Sequence, residues 1–254
     1  MAARAASPDA PKILIAQQSV MSLIVEPRLK GQALGTGTAF VVNGKKRALL
    51  LTAKHVITGH SPDGNPLLPG GVYPDELAIR HNRNDRIGSW IVTVEPLYQN
   101  GKSLWVEPVL KEADFVALAL TQLDGVQLYP YELNDPSHIL VSPADTVSVI
   151  GFPFGISARG LAVWATGFVA TDLDIDFNGQ PIFLIDCRSR PGQSGSPVIA
   201  YRGHGAVSTE GAGMALFNGP VYRFLGIYSG RINSESDLGM VWKAAQISDL
   251  VSSI

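Results

Sequence analysis

Three segments of this 254-residue chain carry side chains suited to nucleophilic catalysis by serine. In Arg188-Ser189-Arg190-Pro191-Gly192-Gln193-Ser194-Gly195-Ser196-Pro197 a glycine-rich turn separates two apolar runs, and Ser194 stands at its tip. A serine hydroxyl attacks efficiently when displayed on a tight turn with free backbone N–H groups nearby to receive an oxyanion. Gly192 supplies the backbone freedom that turns such groups inward. The hydroxyl also needs a general base. His55 follows the apolar run Leu50-Leu51-Thr52-Ala53-Lys54, which predicts a buried strand with the imidazole held at its end. Between the two, Glu112-Ala113-Asp114-Phe115-Val116-Ala117-Leu118 sets Asp114 at the mouth of another apolar strand, where a carboxylate can orient a histidine. Glu112 is the alternative, because residues two apart on an extended strand point to the same side.

The elements that must position these groups read as β. Asn-Gly occurs at 43–44, 100–101, 178–179 and 218–219, and this pair suits the type I′ turn, whose two central residues both need φ > 0. The flanking runs predict hairpins: Thr36 to Val42 with Arg47 to Thr52, Ile91 to Leu97 with Leu104 to Leu110, Val163 to Leu173 with Ile182 to Cys187, and Met214 to Phe217 with Val221 to Tyr228. Strands do not alternate with helices as a parallel sheet would require. One helix is expected, at the end, where Ile247, Leu250, Val251 and Ile254 fall at i, i+3, i+4 and i+7. Residues 1–11 read as a flexible tail and 12–120 as a first β-barrel. Residues 121–136, rich in turn residues, read as a linker, and 137–254 as a second barrel with the closing helix.

Taken in order, Thr52-Ala53-Lys54-His55-Val56, Ala113-Asp114-Phe115-Val116-Ala117-Leu118 and Gly192-Gln193-Ser194-Gly195-Ser196-Pro197 resemble the triad segments of trypsin-like (chymotrypsin-fold) serine peptidases of the bacterial, disulfide-free type. The likeness runs from about Ser22 to Val251. It includes Gly35-Thr36-Gly37-Thr38-Ala39-Phe40, Gly151-Phe152-Pro153-Phe154, Leu225-Gly226-Ile227-Tyr228-Ser229-Gly230 and the closing Asp237-Leu238-Gly239-Met240-Val241-Trp242. The resemblance implies an all-β fold of two antiparallel six-stranded β-barrels with a C-terminal helix, and a serine endopeptidase working through an acyl-enzyme. It further implies Ser194 as nucleophile, His55 as base, Asp114 as orienter, and the N–H groups of Gly192 and Ser194 as oxyanion hole. Arg188 is expected near the base of the primary specificity pocket, with Ser229, Gly230 and Arg231 along its wall and Gly239 opposite. Two arginines there would favour an acidic side chain before the scissile bond, unless both point to solvent or pair with carboxylates such as Asp186. Two positions depart from the family pattern. Gln193 stands where zymogen-activated members carry aspartate, and no activation sequence stands near residue 20, so cleavage is not the expected route to activity. Ser196 replaces a glycine away from the reacting atoms. The rival reading is a catalytically silent peptide-binding module on the same fold, active only with a partner, and a regulatory protein partner fits either reading.

Composition excludes other classes. With 20 basic against 22 acidic side chains and a net charge of −2, the chain lacks the clustered charge that binds nucleic acid or anionic membrane. A single cysteine, Cys187, cannot pair within the chain, so a cytoplasmic location is expected. No apolar run approaches the length of a membrane span, and the N-terminus does not read as a signal peptide. Gly35-x-Gly37 lacks the third glycine of a dinucleotide loop, and His55 and His60 are misspaced for a helical zinc pair, so no cofactor or metal is expected. An α/β-hydrolase is excluded by order, since only His204 follows Ser194. The expected partner is a polypeptide substrate.

Overall fold

The computed structural model describes residues 14–134, 137–211 and 213–254; the expected tail, 1–11, lies outside them. After a one-turn helix α1 (Gln18–Met21) the first half of the chain runs through β1 (Ser22–Leu29), β2 (Gln32–Ala33), β3 (Gly37–Asn43) and β4 (Ala48–Thr52). It continues through helix α2 (Lys54–Thr58), β5 (Glu76–Arg83), β6 (Trp90–Pro96), β7 (Tyr98–Gln99), β8 (Lys102–Ser103), β9 (Trp105–Val106), β10 (Val116–Ala119) and β11 (Val126–Gln127). The second half holds β12 (Thr146–Gly151), β13 (Val163–Val169), β14 (Ile182–Asp186), β15 (Pro197–Arg202), β16 (Gly205–Thr209), β17 (Gly213–Phe217), β18 (Val221–Arg231), β19 (Leu238–Lys243) and helix α3 (Ala244–Ser253).

The fold is mostly β, as expected. The second half closes into a six-stranded antiparallel barrel in the order β12-β13-β14-β19-β18-β15. The first half is a nine-stranded antiparallel sheet along β11-β5-β1-β3-β4-β10-β9, with β2 and β6 paired to its flanks. All its longer strands except β6 send alternate residues into one core, including Leu23, Val25, Val41, Leu50, Leu77, Ile79, Val116 and Leu118, so the sheet wraps around that core. The intervening residues build a second, shared core. Phe40, Val42, Leu49, Leu51 and Phe115 from the first half meet Ile182, Leu184, Ile199, Phe224, Ile227 and Trp242 from the second. Strands buried on both faces explain why Leu49–Leu51 and Ile182–Ile185 are apolar throughout rather than alternating. Helix α3 presses Ile247, Leu250 and Val251 into this shared core, on the spacing its sequence predicts.

Two hairpin expectations change. Asn100-Gly101 does form a turn with both φ positive, but it joins the short β7 and β8, while β6 pairs along its length with β5. At Asn218-Gly219 no hairpin forms. Met214 to Phe217 pairs backwards with β16 and leaves β18 to the barrel. No helix among the described residues is long and apolar enough to cross a membrane.

The interior of the first half holds one ionisable oddity. His81 is fully buried and neither ring nitrogen has a partner among the described residues. Burial lowers its pKa from 6.5 to about 4, with Glu95 pulling weakly the other way. The unfolded chain therefore binds this proton first. Stability is complete above pH 6.5 and falls as the pH drops, by about 3 kcal/mol near pH 4. Urea unfolding at pH 7 and pH 4.5 should show this acid loss in the wild type and a much smaller one in His81→Leu; equal losses in both would refute the assignment.

Candidate active site

The imidazole of His55 is placed by the break between β4 and α2. Thr52 is the last paired residue of β4, Ala53 is extended, and the chain then turns through the single helical turn Lys54–Thr58. His55 thus sits on a helix rather than at the strand end the sequence predicts. Val56 and Ile57 drop into the core of the first half, which fixes the roll of the helix and directs His55 toward the junction of the two halves.

Asp114 immediately precedes the buried run into β10 and is itself 3% exposed. Its Oδ1 accepts the backbone N–H of His55 at 3.0 Å, and its Oδ2 accepts His55 Nδ1 at 2.6 Å and the Ser229 hydroxyl at 2.5 Å. Three donors converge on a group that accepts only. The Nδ1–H therefore faces Asp114 and Nε2 is left with its lone pair. Glu112, the alternative, is exposed.

The turn carrying Ser194 is tied down on every side except the one facing the cleft. Gln193 N donates to Arg190 O, Gly195 N to Tyr228 O and Ser196 N to Gln193 O, while Gln193 Oε1 accepts Arg190 N at 2.7 Å. Gly192 has φ +93°, and a Cβ there would lie 2.5 Å from Phe152 O, so glycine is required both by conformation and by space. The Pro191 carbonyl accepts Phe154 N at 2.6 Å. Because the peptide is trans, the Gly192 N–H points the opposite way. Neither that N–H nor the Ser194 N–H donates to another group among the described residues. Phe154 holds its position with φ +53°, a costly conformation for a bulky residue. The Ser194 hydroxyl donates to the Ser229 carbonyl at 3.3 Å rather than to His55. Ser229 thus joins the two halves of the site, its hydroxyl on Asp114 and its carbonyl on Ser194.

Ser229, Gly230 and Arg231 form the C-terminal end of β18. Beyond Ile227 the pairing of β18 with β15 ends, so at 229–231 the strand pairs only with β19 on one side. A Cβ on Gly230 would meet nothing within 4 Å. Gly239 is buried opposite, on β19. Arg188 is not brought into a pocket: its side chain is 82% exposed and lies 3.7 Å from Asp237, which Arg190 also approaches at 3.7 Å. Arg231 donates to the Ser234 carbonyl. Cys187 is buried, and burial, with Asp186 and Asp237 nearby, pushes its thiol up to about 11.

One residue escaped the sequence reading. Thr38 of β3 is fully buried and makes four bonds at the junction. Its N–H donates to Ser194 O at 3.0 Å, its hydroxyl donates to Gly192 O at 2.8 Å and accepts Phe152 N at 3.1 Å, and its carbonyl accepts the Thr52 hydroxyl at 2.8 Å. The available signal was a hydroxyl residue inside an otherwise apolar strand.

A fold of two packed antiparallel β units with a serine, a histidine and a carboxylate at their junction is that of the chymotrypsin-like serine endopeptidases. The family model for the trypsin-like peptidase domain matches residues 37–205, more than half of the chain, and the chain belongs to that family. Among solved structures, the serine endoprotease from Yersinia pestis is similar over 94% of this chain and 66% of its own, just under two thirds, with 14% identity and a TM-score of 0.52. The thermostable serine protease AL20 from an extremophilic microorganism is similar over 94% of this chain and 98% of its own, with 13% identity and a TM-score of 0.54. A search of curated proteins finds no match.

Proposed function

We propose that this protein hydrolyses peptide bonds through Ser194, His55 and Asp114. The observation that carries the reading is the 2.6 Å bond from His55 Nδ1 to Asp114, which frees Nε2 to take a proton beside the Ser194 turn. In the first half-reaction Ser194 Oγ bonds to the substrate carbonyl carbon and its proton passes to His55 Nε2. The carbonyl oxygen, now negative, is received by the N–H groups of Gly192 and Ser194. Collapse breaks the C–N bond, the amine leaves with the proton from His55, and an acyl ester remains on Ser194. Water, deprotonated by the same imidazole, then releases the acid and restores the hydroxyl. The substrate lies extended along the free edge at Ser229, Gly230 and Arg231. Residues 12–120 carry the base and its orienter and 137–254 the nucleophile, so 121–136 joins two halves of one site. The lone, buried Cys187 suits a reducing, cytoplasmic setting.

The resting bond from Ser194 to the Ser229 carbonyl favours a second reading, a silent peptide-binding module that awaits a partner. Hydroxyls in unliganded sites commonly turn to the base only when substrate arrives. Labelling with a fluorophosphonate, read by intact mass, separates the two. One adduct in the wild type and none in Ser194→Ala supports hydrolysis; no adduct in either supports the module.

Thr38 acts here as a positioning residue. By holding the carbonyls of both Gly192 and Ser194 from the opposite β unit, it fixes the peptides 192–193 and 194–195, which flank the 193–194 peptide on both sides and the 191–192 peptide on one, and so orients the neighbouring N–H groups of Gly192 and Ser194. Thr38→Val keeps the shape and removes the hydroxyl between Gly192 O and Phe152 N. A fall of about 10- to 100-fold in kcat with KM nearly unchanged is expected, smaller than the loss of an oxyanion donor itself. Thr38→Ser should restore most of it. A change confined to KM, or no rescue by serine, would remove the role.

A further inference from the structure

Resting on the serine-peptidase reading, the side chain before the scissile bond must enter beside Ser194, between the segment 188–191 and the strand 229–231. What lies beneath that entrance is Tyr228. It precedes Ser229 on β18, so it faces into the barrel where Ser229 faces the cleft. Its ring lies against Gly239 and Ile185: a Cβ added to Gly239 would stand 2.6 Å from the Tyr228 ring and 3.3 Å from Ile185. Only glycine at 239 lets the ring occupy this place. At its far end the Tyr228 hydroxyl is hydrogen-bonded to the Ser189 hydroxyl, on the opposite wall. Tyr228 is 2% exposed and Ser189 1%, so solvent does not reach the floor they form. Burial pushes the phenol up to about 12, as expected for a group out of contact with water. The arginines flanking the entrance do not reach down. Arg188 points to solvent beside Asp237, and Arg231 turns to Ser234.

We propose that the Tyr228 ring, tied to Ser189 and seated on Gly239, fills the primary side-chain pocket, so that the enzyme cleaves after small uncharged residues such as alanine and rejects aromatic, long aliphatic and acidic ones. The ring, rather than its hydroxyl, supplies the exclusion. A Leu or Phe side chain would have to displace a packed aromatic residue of the barrel core, and an acidic one would find no cation at the floor.

Peptidyl diphenyl phosphonates test this without knowledge of the natural substrate. Ser194 Oγ bonds to phosphorus, a phenolate departs, its proton supplied through His55, and the mass of the whole chain rises. Analogues carrying the side chains of Ala, Leu, Phe and Asp before the phosphorus are compared by rate, beside a plain alkyl fluorophosphonate that has no such side chain. The Ala analogue should react about 100-fold faster than the Phe analogue, within the range that one pocket's size selection provides. Tyr228→Phe should keep the ranking and Tyr228→Val should narrow it by about tenfold or more. If Tyr228→Val fails to fold, the wild-type ranking and Tyr228→Phe still decide. Equal or faster reaction of the Phe, Leu or Asp analogue, with the fluorophosphonate still labelling Ser194, overturns the pocket and leaves the nucleophile standing. Failure of the fluorophosphonate as well overturns both.

Discussion

Ser194→Ala is expected to lower peptide turnover by about 10⁴- to 10⁶-fold while peptide binding stays within a few-fold of wild type. The size of the effect follows from what the hydroxyl does alone. No other group at the site stands where a covalent bond to the substrate could form, and the activity that remains comes from the oxyanion donors and from binding. Those parts survive the substitution. The turn is held by Thr38, Arg190, Tyr228 and Phe154 through main-chain groups and the side chains of Thr38 and Gln193. The Ser194 hydroxyl contributes one bond, to Ser229 O at 3.3 Å. Stability should accordingly shift by no more than about 1 kcal/mol. Steady-state cleavage of a fluorogenic peptide and anisotropy of the same peptide, uncut, give the two readouts. A variant cleaving within tenfold of wild type would exclude Ser194 as nucleophile. A variant that no longer binds peptide would show that the serine shapes the groove rather than attacks.

Much of this site could be read from the chain before its folding was known, and the reason lies in locality. The turn Gly192-Gln193-Ser194-Gly195 declares its conformation within a few residues, whereas His55 reads as a strand end but sits on the helical turn Lys54–Thr58. The apolar runs beside them declare burial. Helix α3 obeys its own 3.6-residue spacing. What failed to be legible depends on partners far away in sequence. Thr38 meets Gly192 and Ser194 across more than 150 residues and looks from its neighbours like a strand residue. The choice between Asp114 and Glu112 turns on the chain not being a strand at that point; it becomes β only at Val116, so the two carboxylates do not share a side. Asn218-Gly219 carries the hairpin signal but yields to a competitor, because Met214 to Phe217 finds its partner in the preceding segment, Gly205–Thr209. The Tyr228 ring escapes for a similar reason. Nothing near it reveals that its hydroxyl meets Ser189, or that Gly239 clears its space.

The placement of the junction also has a physical logic. Alternate residues of β3, β4 and β10 enter the first core and the remainder enter the shared one. The loops leaving these strands are therefore held by two cores at once. His55 follows β4, Asp114 precedes β10 and Thr38 lies in β3, so the proposed base, orienter and clamp all come from well-buried strands of the first half. Ser194 precedes β15, whose residues divide in the same way between the barrel core and the shared core. A site that must hold atoms to fractions of an ångström is thus proposed at the edge of strands that are buried on both faces.

Asp114→Asn should cost about 10⁴-fold in kcat with the fold intact, and the reason is the tautomer of His55 rather than the lost charge alone. In the wild type Oδ1 accepts the His55 main-chain N–H and Oδ2 accepts both Nδ1–H and the Ser229 hydroxyl. An asparagine has one oxygen and one NH₂ to distribute over these places. Pointing the NH₂ at the backbone N–H sets donor against donor in a buried site, at about 1–3 kcal/mol. The oxygen therefore stays with the backbone, and the NH₂ faces the ring. It donates to Nδ1, the imidazole proton moves to Nε2, and the nitrogen that should accept from Ser194 becomes a donor. The Ser229 hydroxyl must also give up its acceptor, which adds to the cost without altering the direction. Nitrogen chemical shifts of the His55 ring in the variant should show protonated Nε2 at neutral pH, with KM within a few-fold and kcat at the floor. Glu112→Gln, changing an exposed carboxylate that touches neither His55 nor Ser194, should leave both constants within about twofold, as surface substitutions usually do. Retention of the Nδ1–H form in Asp114→Asn, or turnover within tenfold of wild type, would mean that the imidazole is oriented by something other than this carboxylate.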